Sequence, residues 1–216
     1  MMPWPELVRL YRLTETWEKQ RNDAPAYNVA PTDQVPFVTA GENGAHRLRG
    51  GRWRLVPWWA KEMPKAAMFN ARMETADTSG AFKDAFKSTR CLIPADGFYE
   101  WQRVGSGKQA YYVRPSRESL FGLAGVWQDG TCAILTVEAN GALRAVHHRM
   151  PAIIPPRDYS AWLGGDDGLL APAPDEDLLA YRVGAQINSG AAESPALIEP
   201  VSAVAERGSS GSLFGD

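Results

Sequence analysis

From Tyr27 to Asn140 the chain is a succession of short runs rich in β-branched and aromatic residues, each closed by Gly, Pro, Asn or Asp. The runs cover 34–40, 47–57, 90–102, 110–115, 120–127 and 131–140. Such runs between turn formers predict strands. No helical pattern separates one run from the next with any regularity, which excludes a repeating strand–helix alternation and predicts a sheet-dominated α+β body. A helix is predicted ahead of this body and helices interrupt it at three places. Leu7, Leu10 and Tyr11 share one face of a segment that opens with Pro5 and Glu6, as a helix start requires. Ser79 caps a turn carrying Phe82 and Phe86, and Pro156 opens a helix with Tyr159, Trp162 and Leu163 that Gly164-Gly165 ends. A further short helix is predicted after Asp175, carrying Leu178 and Leu179.

The 216 residues are 44% hydrophobic, enough for one well-filled core. With no long polar linker before residue 204, one domain over 1–203 is expected, and the Gly-Ser stretch at 204–216 reads as a disordered tail. No apolar run is long enough to cross a bilayer as a helix. The opening Met1-Met2-Pro3-Trp4-Pro5-Glu6 lacks the basic-then-apolar order of a secretory leader, so a cytoplasmic location is expected. The two cysteines, Cys91 and Cys132, sit in strand-like runs without metal-ligand spacing. They read as buried thiols, and neither a metal nor a cofactor is expected.

Net charge is −2, which excludes a uniformly basic nucleic-acid coat. The average conceals a dipolar chain. Between Arg47 and Arg72 seven basic residues face only Glu62, a balance of +6; between Gly164 and Glu199 seven acidic residues face only Arg182, a balance of −6. The basic stretch also holds Trp53, Trp58 and Trp59 of the eight tryptophans. Cations beside flat rings suit single-stranded nucleic acid, but they equally suit ordinary strands with solvated basic faces and core tryptophans.

Three polar residues stand apart from the strand pattern: Asn70 in Phe69-Asn70-Ala71-Arg72, Glu100 between Tyr99 and Trp101, and His147 at the head of His147-His148-Arg149-Met150-Pro151. A glutamate flanked by aromatic rings is expected to be buried, with a raised pKa that lets it donate a proton near neutrality. Histidine is the other proton carrier of that range.

Five ordered strings resemble the SOS response-associated peptidase family, the abasic-site-processing proteins. They are Tyr27-Asn28-Val29-Ala30-Pro31-Thr32, Trp53-Arg54-Leu55-Val56-Pro57, Asn70-Ala71-Arg72-Met73-Glu74, the run from Arg90 to Trp101, and His147-His148-Arg149-Met150-Pro151. The resemblance implies a compact β-rich domain with a mixed or antiparallel, barrel-like sheet and a few peripheral helices. The implied partner is single-stranded DNA, or a single/double-strand junction, carrying an abasic site, with the protein expected to be monomeric. In the family a cysteine exposed by removal of the initiator Met forms an imine with the sugar aldehyde, and its thiol then closes a thiazolidine ring. Carried over by motif, Asn70 orients that first residue. Glu100 passes a proton to the ring oxygen as the sugar opens, and His147 serves the imine step. Arg72 and Arg149 hold phosphates, and Trp59 with Pro31 forms a wedge against the bases.

The sequence departs from the family at two places. Position 2 is Met2 and the first cysteine is Cys91, whereas the family begins with a Met-Cys strand; an upstream Met-Cys start is one expectation, and a member that binds DNA without linking to it is the other. Arg54 stands where the family has glycine, pointing either to a phosphate or away from the groove. Peptidase action on proteins, which the family name implies, finds no support in these residues.

Overall fold

The computed structural model describes residues 4–16, 25–62, 64, 66 and 68–201; the tail expected at 204–216 lies outside them. The six runs expected as strands form seven strands with edited boundaries, and five further strands lie outside those runs, twelve in all among the described residues. They are β1 (Leu13–Thr16), β2 (Gln34–Ala40), β3 (His46–Trp53), β4 (Asn70–Arg72), β5 (Arg90–Ala95), β6 (Phe98–Val104), β7 (Gly107–Pro115), β8 (Phe121–Gln128), β9 (Thr131–Glu138), β10 (Arg149–Pro151), β11 (Ile153–Ile154) and β12 (Leu178–Arg182). The α-helices are α1 (Trp4–Tyr11), α2 (Met73–Ala76), α3 (Lys83–Ser88) and α4 (Tyr159–Leu163).

The large sheet runs β1-β3-β2-β5-β8-β9-β10, and β3 also pairs with β9. That extra pairing closes a five-stranded ring, β3-β2-β5-β8-β9, which removes the exposed edges an open sheet would carry. The ring is mixed, because β3 meets β9 in parallel while its other pairs are antiparallel. Asp129 and Gly130 turn β8 into β9 with φ of 45° and 73°, the left-handed pair that a tight hairpin needs. A second sheet, β12-β7-β6, is antiparallel throughout.

Two sequence expectations are corrected. The run expected as one strand over 90–102 breaks at Asp96-Gly97, so β5 belongs to the large sheet and β6 to the small one. Gly97 is required at the break: a Cβ there would lie 2.3 Å from Cζ of Tyr112, a residue with 4% exposure and no room to yield. The helix expected after Asp175 is a single 3-10 turn, and Leu178 and Leu179 instead open β12. Pairing with β7 along its full length outweighs the local helical preference of leucine. Leu13 begins β1 after Arg12, whose φ is 49°.

The main core gathers residues from both sheets and the helices, among them Phe37, Leu55, Leu92, Leu135, Met150 and Trp162. Trp53, which the sequence left open between a nucleic-acid surface and the core, packs on this core and donates from Nε1 to the Phe69 carbonyl at 2.8 Å. Cys91 and Cys132 are fully buried free thiols. A smaller cluster lies on one face of the β12-β7-β6 sheet, where Ala110 and Tyr112 meet Val183, Ile187 and Leu197. Among the described residues no helix is long and apolar enough to cross a membrane.

Candidate functional site

Strand alternation explains the setting of Glu100 differently from its sequence neighbours. In β6, Tyr99 and Trp101 point to one face, where Tyr99 meets Tyr112 at 5.1 Å between ring centroids. Glu100 points to the other, on the side where Phe98 and Val113 join the main core. The flanking aromatics therefore point away from it, to the opposite face. Its side chain is 21% exposed. Burial is the main cause that raises the Glu100 pKa, opposed by His147 and by the Trp101 backbone N–H.

His147 is brought to Glu100 by a polar relay. In register, Arg182, Tyr111 and Glu100 lie side by side across the small sheet. Arg182 Nε donates to the Tyr111 hydroxyl at 3.2 Å, Tyr111 donates to Gln102 Oε1 at 3.2 Å, and Gln102 Nε2 donates to the Ala145 carbonyl at 2.8 Å. The turn that contains Ala145 is held from below as well: Asn140 Oδ1 accepts from the Leu143 N–H, Asn140 Nδ2 donates to the Ala173 carbonyl, and Leu143 is fully buried. So fixed, the turn sets His147 Nδ1 at 3.7 Å from Glu100 Oε2 and at 3.0 Å from the Arg149 carbonyl. The His148 ring lies 4.5 Å from the His147 ring, tilted by 46°; it is His147 whose ring reaches the carboxylate. Gln102 was missed in the sequence, although its period-two spacing from Glu100 places the two on one face.

Asn70 and Arg72 are exposed on β4, with Ala71 buried between them. β9 carries Ile134 opposite Asn70, Thr136 opposite Arg72 and Glu138 opposite Arg149. Paired residues share a face, so Asn70, Arg72, Thr136 and Arg149 form one polar strip. The structure thus joins Glu100 to His147 directly, while Asn70 sits along the strip from Arg149. Arg149 is largely covered, with 13% of its side chain exposed. Its NH1 and NH2 donate to Glu74 Oε1 and Oε2 at 2.8 and 3.0 Å, and NH2 also donates to the Thr136 carbonyl. The bidentate bond holds the Glu74 carboxyl below its ordinary value.

The basic stretch divides. Arg52, Lys61 and Arg72 are exposed, whereas Arg49 lies over the Trp127 ring at 4.8 Å. Arg54 donates to the Pro64 and Ala66 carbonyls and ties together the loop that carries Trp58 and Trp59. Trp59 is 51% exposed, and Pro31 is exposed in a turn whose Thr32 N–H donates to the Trp53 carbonyl at 2.9 Å. Among the described residues no three His, Cys, Asp or Glu side chains converge as a metal site.

Residues 4–190 match the family model described as SOS response associated peptidase (SRAP). The chain is 36% identical over 194 residues to the abasic site processing protein YoqW of Bacillus subtilis, covering 81% of this chain and 86% of that one. It is 27% identical to the abasic site processing protein HMCES of Gallus gallus, over 86% and 69% of the two chains. A crystal structure of a protein from Bordetella bronchiseptica superposes with a TM-score of 0.72 at 21% identity, covering 85% of this chain and 97% of that one. A second, from Bacteroides thetaiotaomicron, gives 0.69 at 25% identity over 79% and 82%.

Proposed function

Because the chain belongs to the SOS response-associated peptidase (SRAP) family of abasic site processing proteins, we propose that it acts on abasic sites in single-stranded DNA, with Glu100 and His147 as its proton-transfer pair. The observation that carries this reading is the 3.7 Å approach of His147 to a glutamate whose pKa is raised by burial. Two titratable groups held together, one pushed toward neutrality, make a general acid and its partner. In the closed form of an abasic sugar, C1′ carries a hydroxyl. Glu100 gives its proton to the ring oxygen as the C1′–O4′ bond breaks, the hydroxyl proton leaves to a base, and an aldehyde results. His147 serves the next step, in which an amine adds at C1′ and water leaves to form the imine.

Asn70 orients the amine-bearing residue, and Arg72 takes a phosphate from the exposed strip. Arg149 takes another only after exchange with Glu74. Trp59, with Pro31, is the base-stacking wedge. Neither cysteine of the sequence can supply the thiol for ring closure. Both are buried, and burial pushes the Cys132 thiol up to about 12 and the Cys91 thiol well above its usual range, where the nucleophilic thiolate is scarce. That observation favours a second reading for this 216-residue chain, binding without a covalent link; a form starting Met-Cys would bind and link.

Binding is tested by anisotropy of a labelled single strand carrying one abasic site. Affinity should fall with salt, and Arg72→Ala should reduce the slope against log salt by about 0.7. Trp59→Ala should weaken binding by roughly 5- to 150-fold, the value of one base–aromatic stack. Unchanged affinity in both variants would overturn the assignment of this surface.

A further inference from the structure

Trp58 is the most exposed of the large apolar side chains among the described residues, at 67%, and the wedge role of Trp59 leaves it unexplained. We propose that Trp58 is a second stacking surface, taking an unpaired base of the same strand beyond the one held by Trp59. The inference rests on the reading that the chain binds single-stranded DNA and extends it to a residue outside the proton-transfer site.

The indole is fixed before any ligand arrives. Its Nε1 donates to Asp84 Oδ2 at 2.9 Å, while Trp59 Nε1 donates to the Gly80 carbonyl at 3.1 Å. Both N–H groups are therefore spent on the protein, and each ring has its π-face left to offer. The carrying loop is closed at its neck. The Leu55 N–H donates to the Met68 carbonyl at 2.9 Å, Arg54 bridges to Pro64 and Ala66, and the Ala60 N–H closes the turn on the Pro57 carbonyl at 2.9 Å. Fully buried Leu55 anchors it from below. A ring already held in place loses little freedom on stacking, so more of the contact energy appears as affinity.

The surroundings favour a base over a protein side chain. Among the described residues the other exposed large apolar side chains, Val29, Val104 and Leu179, belong to other segments, so within that set the two indoles are not part of a broad exposed apolar patch. The neighbouring exposed charges are Lys61, Lys83 and Lys87 against Glu62 and Asp84, and Asp84 is engaged by the indole itself. An exposed flat ring on segments that carry exposed lysines matches a base with its phosphates.

The test uses the 216-residue chain with oligothymidylates of about 4 and about 12 nucleotides, a range that brackets single-strand site sizes. Trp58→Ala should weaken the longer strand by roughly 5- to 10-fold, with little change for the shorter, and Trp58→Phe should retain most of the affinity. An unchanged unfolding midpoint guards against a folding artefact. Equal affinity of wild type and Trp58→Ala for the longer strand, with Trp59→Ala still impaired, overturns the Trp58 assignment alone. Failure of the wild type to bind either strand overturns the DNA-binding reading and this inference with it. A concentration-dependent dimer dissolved by Trp58→Ala in sedimentation would give the ring to a second copy and also overturn it.

Discussion

Glu100→Gln is expected to slow adduct formation with abasic single-stranded DNA by about 10²- to 10⁴-fold, the usual contribution of a positioned general acid. The measurement is the rate at which a variant extended upstream by a Met-Cys start becomes linked to the strand, read on a denaturing gel. In the parent protein the rate should fall as pH rises through the raised Glu100 value, because only the protonated carboxyl can donate. The Gln variant should lose that dependence. Its defect should not come from unfolding. The folded state holds the Glu100 proton more tightly than the unfolded chain, so this residue contributes stability at low pH that is lost as pH rises from the ordinary glutamate value through the raised one. Gln removes that loss and should leave the fold at neutral pH unchanged or slightly firmer. Rates within twofold of the parent at every pH would contradict the assignment.

Trp162→Ala should produce the largest loss of stability. Trp162 is fully buried in α4 and donates from Nε1 to the Cys91 carbonyl of β5 at 2.8 Å. Its ring also lies 4.5 Å from the Arg90 guanidinium, which the Phe86 ring flanks at 4.7 Å. Truncating a buried Trp costs about 3–5 kcal/mol. The upper part of that range is expected, since a buried carbonyl loses its donor and a buried cation loses one of its flanking rings. For a chain of this size that corresponds to a fall in Tm of roughly 6–20 °C. A loss below about 1 kcal/mol in denaturant titration would mean that α4 is not packed on β5 as described.

The strands of the six runs were legible in the sequence because their signal is local. β-Branched and aromatic residues between turn formers mark each run, whereas β1, β4, β10, β11 and β12 carry no such mark. What was illegible depends on partners far along the chain. Leu178 and Leu179 have no local reason to leave a helix; β7 supplies it. Glu100 was singled out correctly as buried, but for the wrong cause, since alternation sends Tyr99 and Trp101 to the opposite face. The meeting of Glu100 with His147 depends on Gln102 reaching Ala145, and the occupation of Arg149 depends on Glu74. Neither pair shares a local pattern. Arg54 shows the same limit: its sequence setting left its direction open, and the carbonyls it holds come from residues ten and twelve positions on.

The central claim is that DNA meets the protein along the strip from Asn70 and Arg72 to the Glu100–His147 pair. Titrating the isotopically labelled chain with a short abasic single strand, and following backbone and imidazole resonances, tests it directly. The account predicts that the signals of Asn70, Arg72 and His147, together with the indole N–H signals of Trp58 and Trp59, shift first and saturate together. If those signals stay fixed while residues of the opposite side of the small sheet move, around Asp96, Arg114 and Tyr181, the site has been assigned to the wrong face.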